Sequence, residues 1–455
     1  EFVIISMDLY KRRTQRHLVR LLLLFFVALF WLQLHVSHQK AFIKSVDNGV
    51  HDDTTLVQTL YMKFLPLKSN SMDKNSNSSL PVITASQSAD IDYIKSKIKS
   101  YNEAATASSI DFSSYMVNIT LVIAIQVHTR VNYLRSLIVS LAKARDIDKC
   151  LLIFSHDYYD EEINAIVQGI DFTKAIQIFY PYSIQIYPND FPGDLPSDCP
   201  RNYKKGSKMK NCTNANNPDV YGHYREGRFT QTKHHWWWKA NVIFDWLPIT
   251  MTYQRSVLFL EEDHYVSEDF LYMLHGMEVV RDNRCPSCSI LTLGSYAHSF
   301  AYEIKGRVVE MGPWISSKHN MGMAFNRTVW EGLKGCQSHF CKRDDYNWDW
   351  SLQHVGLTCL KSRLMVLVVG APRVFHIGEC GVHHKKKNCD SSPVLTKVEK
   401  ALVKGKPFLF PKSLIIRNSP VKKTKKLKEN GGWGDHRDHQ LCQNITVNPF
   451  QALPT

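Results

Sequence analysis

Three apolar runs, each breaking off into polar residues at its carboxyl end, constrain this chain more than any other feature. Residues 118–130 read NITLVIAIQVHTR, residues 150–157 read CLLIFSHD, and residues 256–263 read SVLFLEED. Each run has the length and continuity of a buried strand. Between the first two, Val131, Leu134, Leu137, Ile138 and Leu141 recur at helical spacing, so the segment opens as β-α-β. Further strands are expected at IQIFY (176–180), ILTL (290–293) and LMVLVV (364–369). Alternation of this kind predicts an α/β fold with a mainly parallel central sheet. No G-x-G-x-x-G follows the first strand, so the standard dinucleotide-binding fingerprint is absent.

Open α/β sheets bind ligands beyond the carboxyl ends of their strands. The acids after the third run therefore need a reason, because an ionised carboxylate leaving an apolar strand is costly unless it is paired or bound to a cation. Ser267, Glu268 and Asp269 read as a helix N-cap with acids in the first turn. That places Glu261, Glu262 and Asp263 on the loop between strand and helix. Residues 258–266 alone are compatible both with a metal or ligand site and with a solvated acidic turn.

The 455 residues allow one large domain or two, at about 150 residues per domain. Lys11, Arg12, Arg13, Arg16 and Arg20 precede an unbroken apolar stretch from Leu21 to Trp31 that continues to Val36. A spanning helix needs about 20 residues, so 18–36 is expected to be an uncleaved signal anchor, with residues 1–17 in the cytosol and the rest lumenal. A cleaved signal peptide is the alternative, but no A-x-A-like site follows. Residues 37–114 are polar and are expected to form a stem, with a helix within 89–105, and a single lumenal catalytic domain fills 115–450.

The formal charge of +14 does not indicate nucleic acid. Much of it sits beside the anchor, at Lys385 to Lys387, and between Lys422 and Lys428, and no nucleic-acid-binding motif is present. Eleven cysteines and sequons at Asn77, Asn118, Asn211, Asn326 and Asn444 suit an oxidising lumen. Close spacing suggests local bridges at Cys199/Cys212, Cys285/Cys288 and Cys380/Cys389; the CPSC at 285–288 also has the spacing of a redox or zinc half-site.

Three further stretches carry chemistry. DDYNWDW (344–350) sets Asp344, Asp345 and Asp349 among Tyr346, Trp348 and Trp350, and aromatic faces beside carboxylates suit a sugar substrate. A buried aromatic cluster with capping acids is the structural alternative. In RVFHIGECGVHH (373–384), His376 follows an apolar strand and, with Asp263, could complete a cation site in which imidazole disfavours calcium and magnesium. In QTKHHWWWK (231–239), consecutive tryptophans point to different faces of a helix and are expected in the core, which leaves Lys233, His234 and His235 as candidates for an anionic ligand. A nucleotide-sugar glycosyltransferase needs all of these parts: a cation at the diphosphate, a carboxylate base, and polar groups around nucleotide and sugar.

The stretches QVHTRVNYLRSL, FSHD, GHYREGRFTQTKHHWWWK, LFLEEDHY, HNMG, DDYNWDW, PRVFHIGECGVHHKK and NGGWGDHRDHQLC together resemble the N-acetylglucosaminyltransferase II family, over about residues 118 to 442. The resemblance implies a GT-A type nucleotide-sugar-binding fold in a type II Golgi membrane protein. It implies inverting β1,2 transfer of N-acetylglucosamine from UDP-GlcNAc to the α1,6-arm mannose of an N-glycan. It assigns Asp263 and His376 to Mn²⁺ and makes Asp349 the base. Gln126, Val127, His128, Thr129, Arg130 and Asp157 would contact the nucleotide. Gln231, Thr232, Lys233, His234 and His235 would contact the donor, and Asn320 of HNMG would lie in the substrate site. Bridges would be Cys199–Cys212, Cys285–Cys288, Cys336–Cys359, Cys341–Cys442 and Cys380–Cys389, with Cys150 free.

Thr129 stands where the family pattern has asparagine. The partners implied are UDP-GlcNAc, glycoprotein N-glycans and the Golgi membrane, with a homodimer left open. Two alternatives remain at the level of sequence: a related β1,2-N-acetylglucosaminyltransferase acting on another mannose acceptor, and a non-catalytic lumenal glycan-binding protein.

Overall fold

The apolar runs become neighbouring strands. β1 (Leu121–Val127), β2 (Cys150–His156), β3 (Lys174–Phe179) and β4 (Val257–Glu261) lie side by side in the order β4-β1-β2-β3, all parallel. Nearly every side chain of β1 and β2 is buried, as expected for strands covered on both faces. The computed structural model describes residues 85–107, 119–204, 212–296, 300–381, 384–385, 392–419 and 427–453. The expected anchor at 18–36, the sequons at Asn77, Asn118 and Asn211, and Cys389 with its bridge to Cys380 lie outside them. Among the described residues no helix is long and apolar enough to cross a membrane.

Beyond β4 the sheet continues through β8 (Met323–Phe325), β6 (Ile290–Thr292), β9 (Met365–Val369), β7 (Val308–Pro313) and β13 (Ile415–Asn418), nine strands in all. β8 is antiparallel to both its neighbours, and β7 to β9, while β6 pairs β9 in parallel, so the sheet is mixed and mainly parallel. A separate antiparallel pair, β5 (His264–Val266) with β10 (Val374–His376), rises beside the acids, and a short pair, β11 (Cys380–Gly381) with β12 (His384–Lys385), follows it.

Register aligns the strand ends. Gln126 faces Ser155 on one side and Glu261 on the other, and the Glu262 N–H extends the ladder by donating to the Gln126 carbonyl at 2.9 Å. The segments 126–130, 155–157 and 261–263 thus emerge along one edge.

Helix α1 (Ala85–Thr106) departs from the expected boundary at 115. It docks on β3, the outermost strand of that flank. The Asn102 side chain donates to the Phe179 carbonyl at 2.7 Å and accepts from the Phe179 N–H at 2.8 Å, and Ile98 packs with Tyr159, Phe179 and Ile186. A side-chain amide has closed a bare strand edge, so Ala85–Thr106, within the segment expected to be stem, packs against the sheet.

The next helices are α2 (Val131–Ala142), α3 (Glu161–Gln168) and α4 (Gly227–Asn241). α4 carries HHWWWK and is buried almost all round, as a helix without a polar face must be. Trp236 stacks on Trp348 with ring centroids 4.6 Å apart, the Trp237 indole N–H donates to Thr446, and that of Trp238 donates to the Pro449 carbonyl. Helix α5 (Phe270–Arg284) begins later than the Ser267 reading predicts. Ser267 Oγ donates to Asp269, whose carboxylate is already taken by the buried Arg373 at 3.0 and 3.1 Å, so serine and acid serve an internal ion pair and not the helix cap.

Helices α6 (Arg327–Gly335), α7 (Trp348–Thr358) and α8 (His436–Val447) complete the elements around the site. Disulfides join Cys199–Cys212, Cys285–Cys288, Cys336–Cys359 and Cys341–Cys442, and Cys150 is free and buried. The CPSC pair is therefore a closed bridge, not half of a zinc site.

Candidate active site

A cavity of about 910 Å³ opens at the aligned strand ends. Its floor is the carboxyl edge: Gln126, His128, Thr129 and Arg130 after β1, Asp157 after β2, and Glu261 and Asp263 after β4. Val127 is fully buried on the far side of the alternation and does not reach the cavity.

The acids are not equivalent. Glu262 is buried and accepts from the His128 N–H at 2.7 Å and from Arg130 Nε at 2.5 Å. Its place is to anchor the turn that carries HTR. Arg130 also donates through Nη1 to Asp263 Oδ2 at 2.6 Å, and His376 Nε2 stands 3.2 Å from the same oxygen. Burial alone would raise the Asp263 pKa, yet His376 and Arg130 hold it well below the usual carboxylate range. Asp263 Oδ1 is buried without a hydrogen-bond partner among the described residues.

His376 reaches this point because β10 pairs with β5 so that His376 lies opposite His264, and the Ile377 N–H donates to the Asp263 carbonyl at 2.8 Å. The chain then passes so near that a Cβ on Gly378 would stand 2.4 Å from Asp263 Oδ2. Glycine keeps the carboxylate accessible there.

Glu261, Asp263 and His264 have ligand atoms within 4.8 Å of one another, a group able to take a cation. His264 Nδ1, however, accepts the Glu261 N–H at 3.1 Å, so the neutral ring carries its proton on Nε2. Burial also pushes the His264 pKa down to about 3. The better donor pair is Asp263 with His376, with Glu261 at its side. The orphaned Oδ1, the open backbone at Gly378 and the mixed oxygen and nitrogen donors fit a divalent transition ion.

On the neighbouring wall, His128 Nδ1 lies 2.6 Å from Asp157 Oδ1, and His235 Nδ1 lies 3.4 Å from the other oxygen. Burial opposes charge on His128, but Asp157 and Glu262 outweigh it and raise the pKa. Gln231 and Thr232 line the cavity from α4, with Gln231 Oε1 accepting the Ile184 N–H at 2.7 Å.

The next residues of α4 turn away. Lys233 is fully buried and donates to the carbonyls of Arg343 and Asp345, both at 3.0 Å. His234 binds Asp438 at 3.0 Å, and His235 binds Ser155 at 2.8 Å. These three side chains lie buried behind the wall, with Lys233 Nζ and the Nε2 atoms of both histidines engaged by protein groups. Direct contact with an anionic ligand, expected from their charge, is replaced by support of the groups that do line the cavity.

Asp349 sits in the first turn of α7, opposite the acids of the strand edge, and lines the cavity. Its Oδ2 accepts from Asn320 Nδ2 and its Oδ1 from the Trp350 N–H, both at 3.0 Å. Tyr296 in turn donates to Asn320 Oδ1 at 3.1 Å. Burial, reinforced by Asp345 and Glu261, pushes the Asp349 pKa up to about 7. Asp344 and Asp345 behave otherwise: they accept backbone N–H groups of Val220, Trp433, Asn347 and Asn430, so the capping alternative describes them correctly. Trp348 and Trp350 line the cavity on either side of Asp349.

The family model for N-acetylglucosaminyltransferase II (MGAT2) matches residues 95–442. The chain belongs to that family. Similar proteins include alpha-1,6-mannosyl-glycoprotein 2-beta-N-acetylglucosaminyltransferase of Sus scrofa, 41% identical over 375 residues that span 81% of this chain and 84% of that protein. The protein of that name from Homo sapiens is 43% identical over 352 residues, 77% of this chain and 78% of its own. The one from Arabidopsis thaliana is 32% identical over 330 residues, 72% and 74% of the two chains.

In this member of the N-acetylglucosaminyltransferase II family, the structure gathers Gln126, His128, Thr129, Arg130, Asp157, Gln231, Thr232, Asp263, Asn320, Asp349 and His376 around one cavity. Sequence reasoning passed over Tyr296, Ser317 and Asn430, which also line it. Asn430 begins the NGGWGDHRD stretch, whose paired glycines, Gly431 and Gly432 at φ 76° and 75°, are the signal that could have pointed to it; no such signal surrounds Tyr296.

Proposed function

We propose that this chain transfers N-acetylglucosamine from UDP-GlcNAc to O2 of the α1,6-arm mannose of an N-glycan, with inversion, forming a β1,2 linkage. Family membership sets the reaction, and the observation that carries the mechanism is Asp349: a buried carboxylate with a pKa of about 7, facing the acidic strand edge across one cavity. A base poised near neutral pH is half ionised where it must both accept a proton and exist as carboxylate.

Asp349 takes the proton from mannose O2 as that oxygen attacks the anomeric carbon opposite UDP. Asn320 holds Oδ2 from one side and the Trp350 N–H holds Oδ1, so the carboxylate cannot rotate away. Trp348 and Trp350 offer the apolar walls against which sugar C–H faces pack. Arg130 brings positive charge to the nucleotide side, fixed by Glu262, which also holds the His128 N–H, while Asp157 holds the His128 ring. A divalent cation held by Asp263 and His376, Mn²⁺ on the donor set, would neutralise charge developing on the diphosphate.

The same reading makes the chain a type II Golgi membrane protein whose catalytic domain faces the lumen, its anchor at 18–36. The test is to incubate the purified protein with UDP-GlcNAc, Mn²⁺ and a mannose-core N-glycan bearing one GlcNAc on the α1,3 arm. One added HexNAc, shown by linkage analysis to be β1,2 on the α1,6 arm and lost with EDTA, is the expected product. Addition to a different mannose, or none by folded protein, overturns the assignment.

A further inference from the structure

α4 contributes one more charged residue, and it belongs to no part of the mechanism above. Lys239 lies two turns beyond Thr232 and one beyond His235, on the face of α4 that looks along the strand ends. It is 1% exposed, and its Nζ donates to Gln126 Oε1 at 2.8 Å. An ammonium buried to this degree has lost its water and needs a compensating role. Burial pushes the Lys239 pKa down to about 7, against the opposing pull of Glu261 and Asp157 on the same edge, which favour the charged form.

The consequence lies in the geometry of the amide. An ammonium has three donors and no acceptor, whereas a glutamine amide presents an acceptor on one side and two donors on the other. Lys239 therefore fixes which way the Gln126 amide faces: oxygen inward, Nε2 toward the cavity. Gln126 lines the cavity, and no described residue accepts a hydrogen bond from its Nε2. The backbone of the same residue is locked on both sides, by Ser155 in β2 and Glu261 in β4, so the amide is presented from a rigid edge.

We propose that Lys239 is a positioning residue that orients the Gln126 amide as an obligatory hydrogen-bond donor, making the nucleotide side of the cavity select for a ligand oxygen that accepts there. The inference rests on the reading of this cavity as the UDP-GlcNAc site. It assigns a selective function to a lysine that touches no ligand itself. A Gln126→Glu change would invert the selection, because the carboxylate would keep its contact with Lys239 while offering an acceptor where the ligand also has one.

The test compares wild type, Lys239→Met, Gln126→Ala, the double variant and Gln126→Glu as full chains. UDP binding is measured by calorimetry and turnover with UDP-GlcNAc by steady-state kinetics. Methionine matches the apolar stem of lysine and removes the buried charge, and a thermal unfolding scan confirms that each variant is folded. Loss of one oriented hydrogen bond should weaken UDP binding and raise the donor KM by about tenfold, with kcat within about twofold of wild type. In the Gln126→Ala background the Lys239→Met step should have no further effect, and Gln126→Glu should bind UDP more weakly than Gln126→Ala.

Unchanged UDP affinity in folded Lys239→Met, or effects that simply add in the double variant, overturns the inference. A wild-type protein whose UDP binding depends on Gln126 and on Lys239 behind it, but which transfers no sugar, fails the functional reading and leaves this one standing. A wild type that does not bind UDP overturns both.

Discussion

Asp349 holds a carboxylate where burial resists its charge, and two measurable effects follow from that cost. Its folded pKa is about 7 against an ordinary 3.8, so the protonated form is favoured in the folded state. For a raised pKa the stabilising contribution is complete below about pH 4 and is lost as pH rises through about 7. Asp349→Asn keeps the neutral shape at every pH, so it should unfold at a higher temperature than wild type at pH 8 and at nearly the same temperature at pH 4. Turnover should move the other way. The variant should lose about 10²- to 10⁴-fold in kcat while still binding UDP, since general-base catalysis contributes roughly that much. Wild-type kcat should fall as pH drops below about 7, where the base becomes protonated, and an acid limb that survives in Asp349→Asn would assign it to another group. Asp263 is tested by metal. Asp263→Ala removes the carboxylate whose Oδ1 has no protein partner and frees Arg130 from one of its two acids. UDP affinity in that variant should no longer respond to Mn²⁺ in a titration with and without the ion, whereas equal enhancement in variant and wild type would exclude Asp263 as a ligand.

At the scale of elements, α1 carries a clear expectation. Asn102 pairs both backbone groups of Phe179 on the outermost strand of its flank, and Ile98 closes the small core beside it. Asn102→Leu would leave a buried N–H and C=O unpaired, at about 1–3 kcal/mol each. A fragment beginning at 115 should therefore unfold at lower denaturant than one beginning before 85, with β3 losing amide protection first in hydrogen exchange. Equal midpoints would mean that α1 is ornamental. The sequence showed this helix by its pattern but not its docking, because amphipathicity says which face is apolar and not which strand edge is bare. The same limit recurs in the site. β1, β2 and β4 were legible as continuous apolar runs, and the acids at their ends were legible as ligand candidates, because a strand's length and polarity are local properties. The opposition of His376 to His264, the burial of Lys233 against two carbonyls and the use of Asp269 by Arg373 depend on pairings across about a hundred residues. Lys233, His234 and His235 were legible as polar candidates but not as buried ones, since a polar side chain held by protein reads the same in sequence as an exposed one.

Across the whole molecule, α8 returns the end of the described chain to α4, the helix behind the active-site wall. Asp438 accepts from Arg225 Nε at 2.8 Å and lies 3.0 Å from His234 Nε2, Thr446 takes the Trp237 indole N–H, and Cys442 is bonded to Cys341. The guanidinium of Arg225 also holds the carbonyls of Pro192 and Gly193, so one buried cation joins three distant segments. The disulfide spans 101 residues, and for a loop near that length the chain-entropy account gives about 4.7 kcal/mol, with measured bridges more often about 2–4 kcal/mol. Replacing both Cys341 and Cys442 by alanine should lower stability by about that measured range in urea, while UDP affinity at 25 °C stays within about twofold because neither sulfur lines the cavity. The ion pair gives the acid response its sign. Burial would raise the Asp438 pKa, but Arg225 and His234 hold it well below its usual 3.8, so its contribution is complete above about pH 4 and is lost as pH falls further. Burial lowers the pKa of His234 as well, and the unfolded chain takes up that proton below about pH 6.5, so both groups destabilise the fold in acid. Asp438→Asn keeps the shape and removes the charge. It should be markedly less stable than wild type at pH 7, and the gap between the two should hold down to about pH 4 and narrow as pH falls from there toward about pH 2, where the unfolded chain takes up the proton that the folded carboxylate resists. A gap that stays constant over that range, measured by urea unfolding at each pH, would place the acid sensitivity of this protein in groups other than the clamp between α4 and α8.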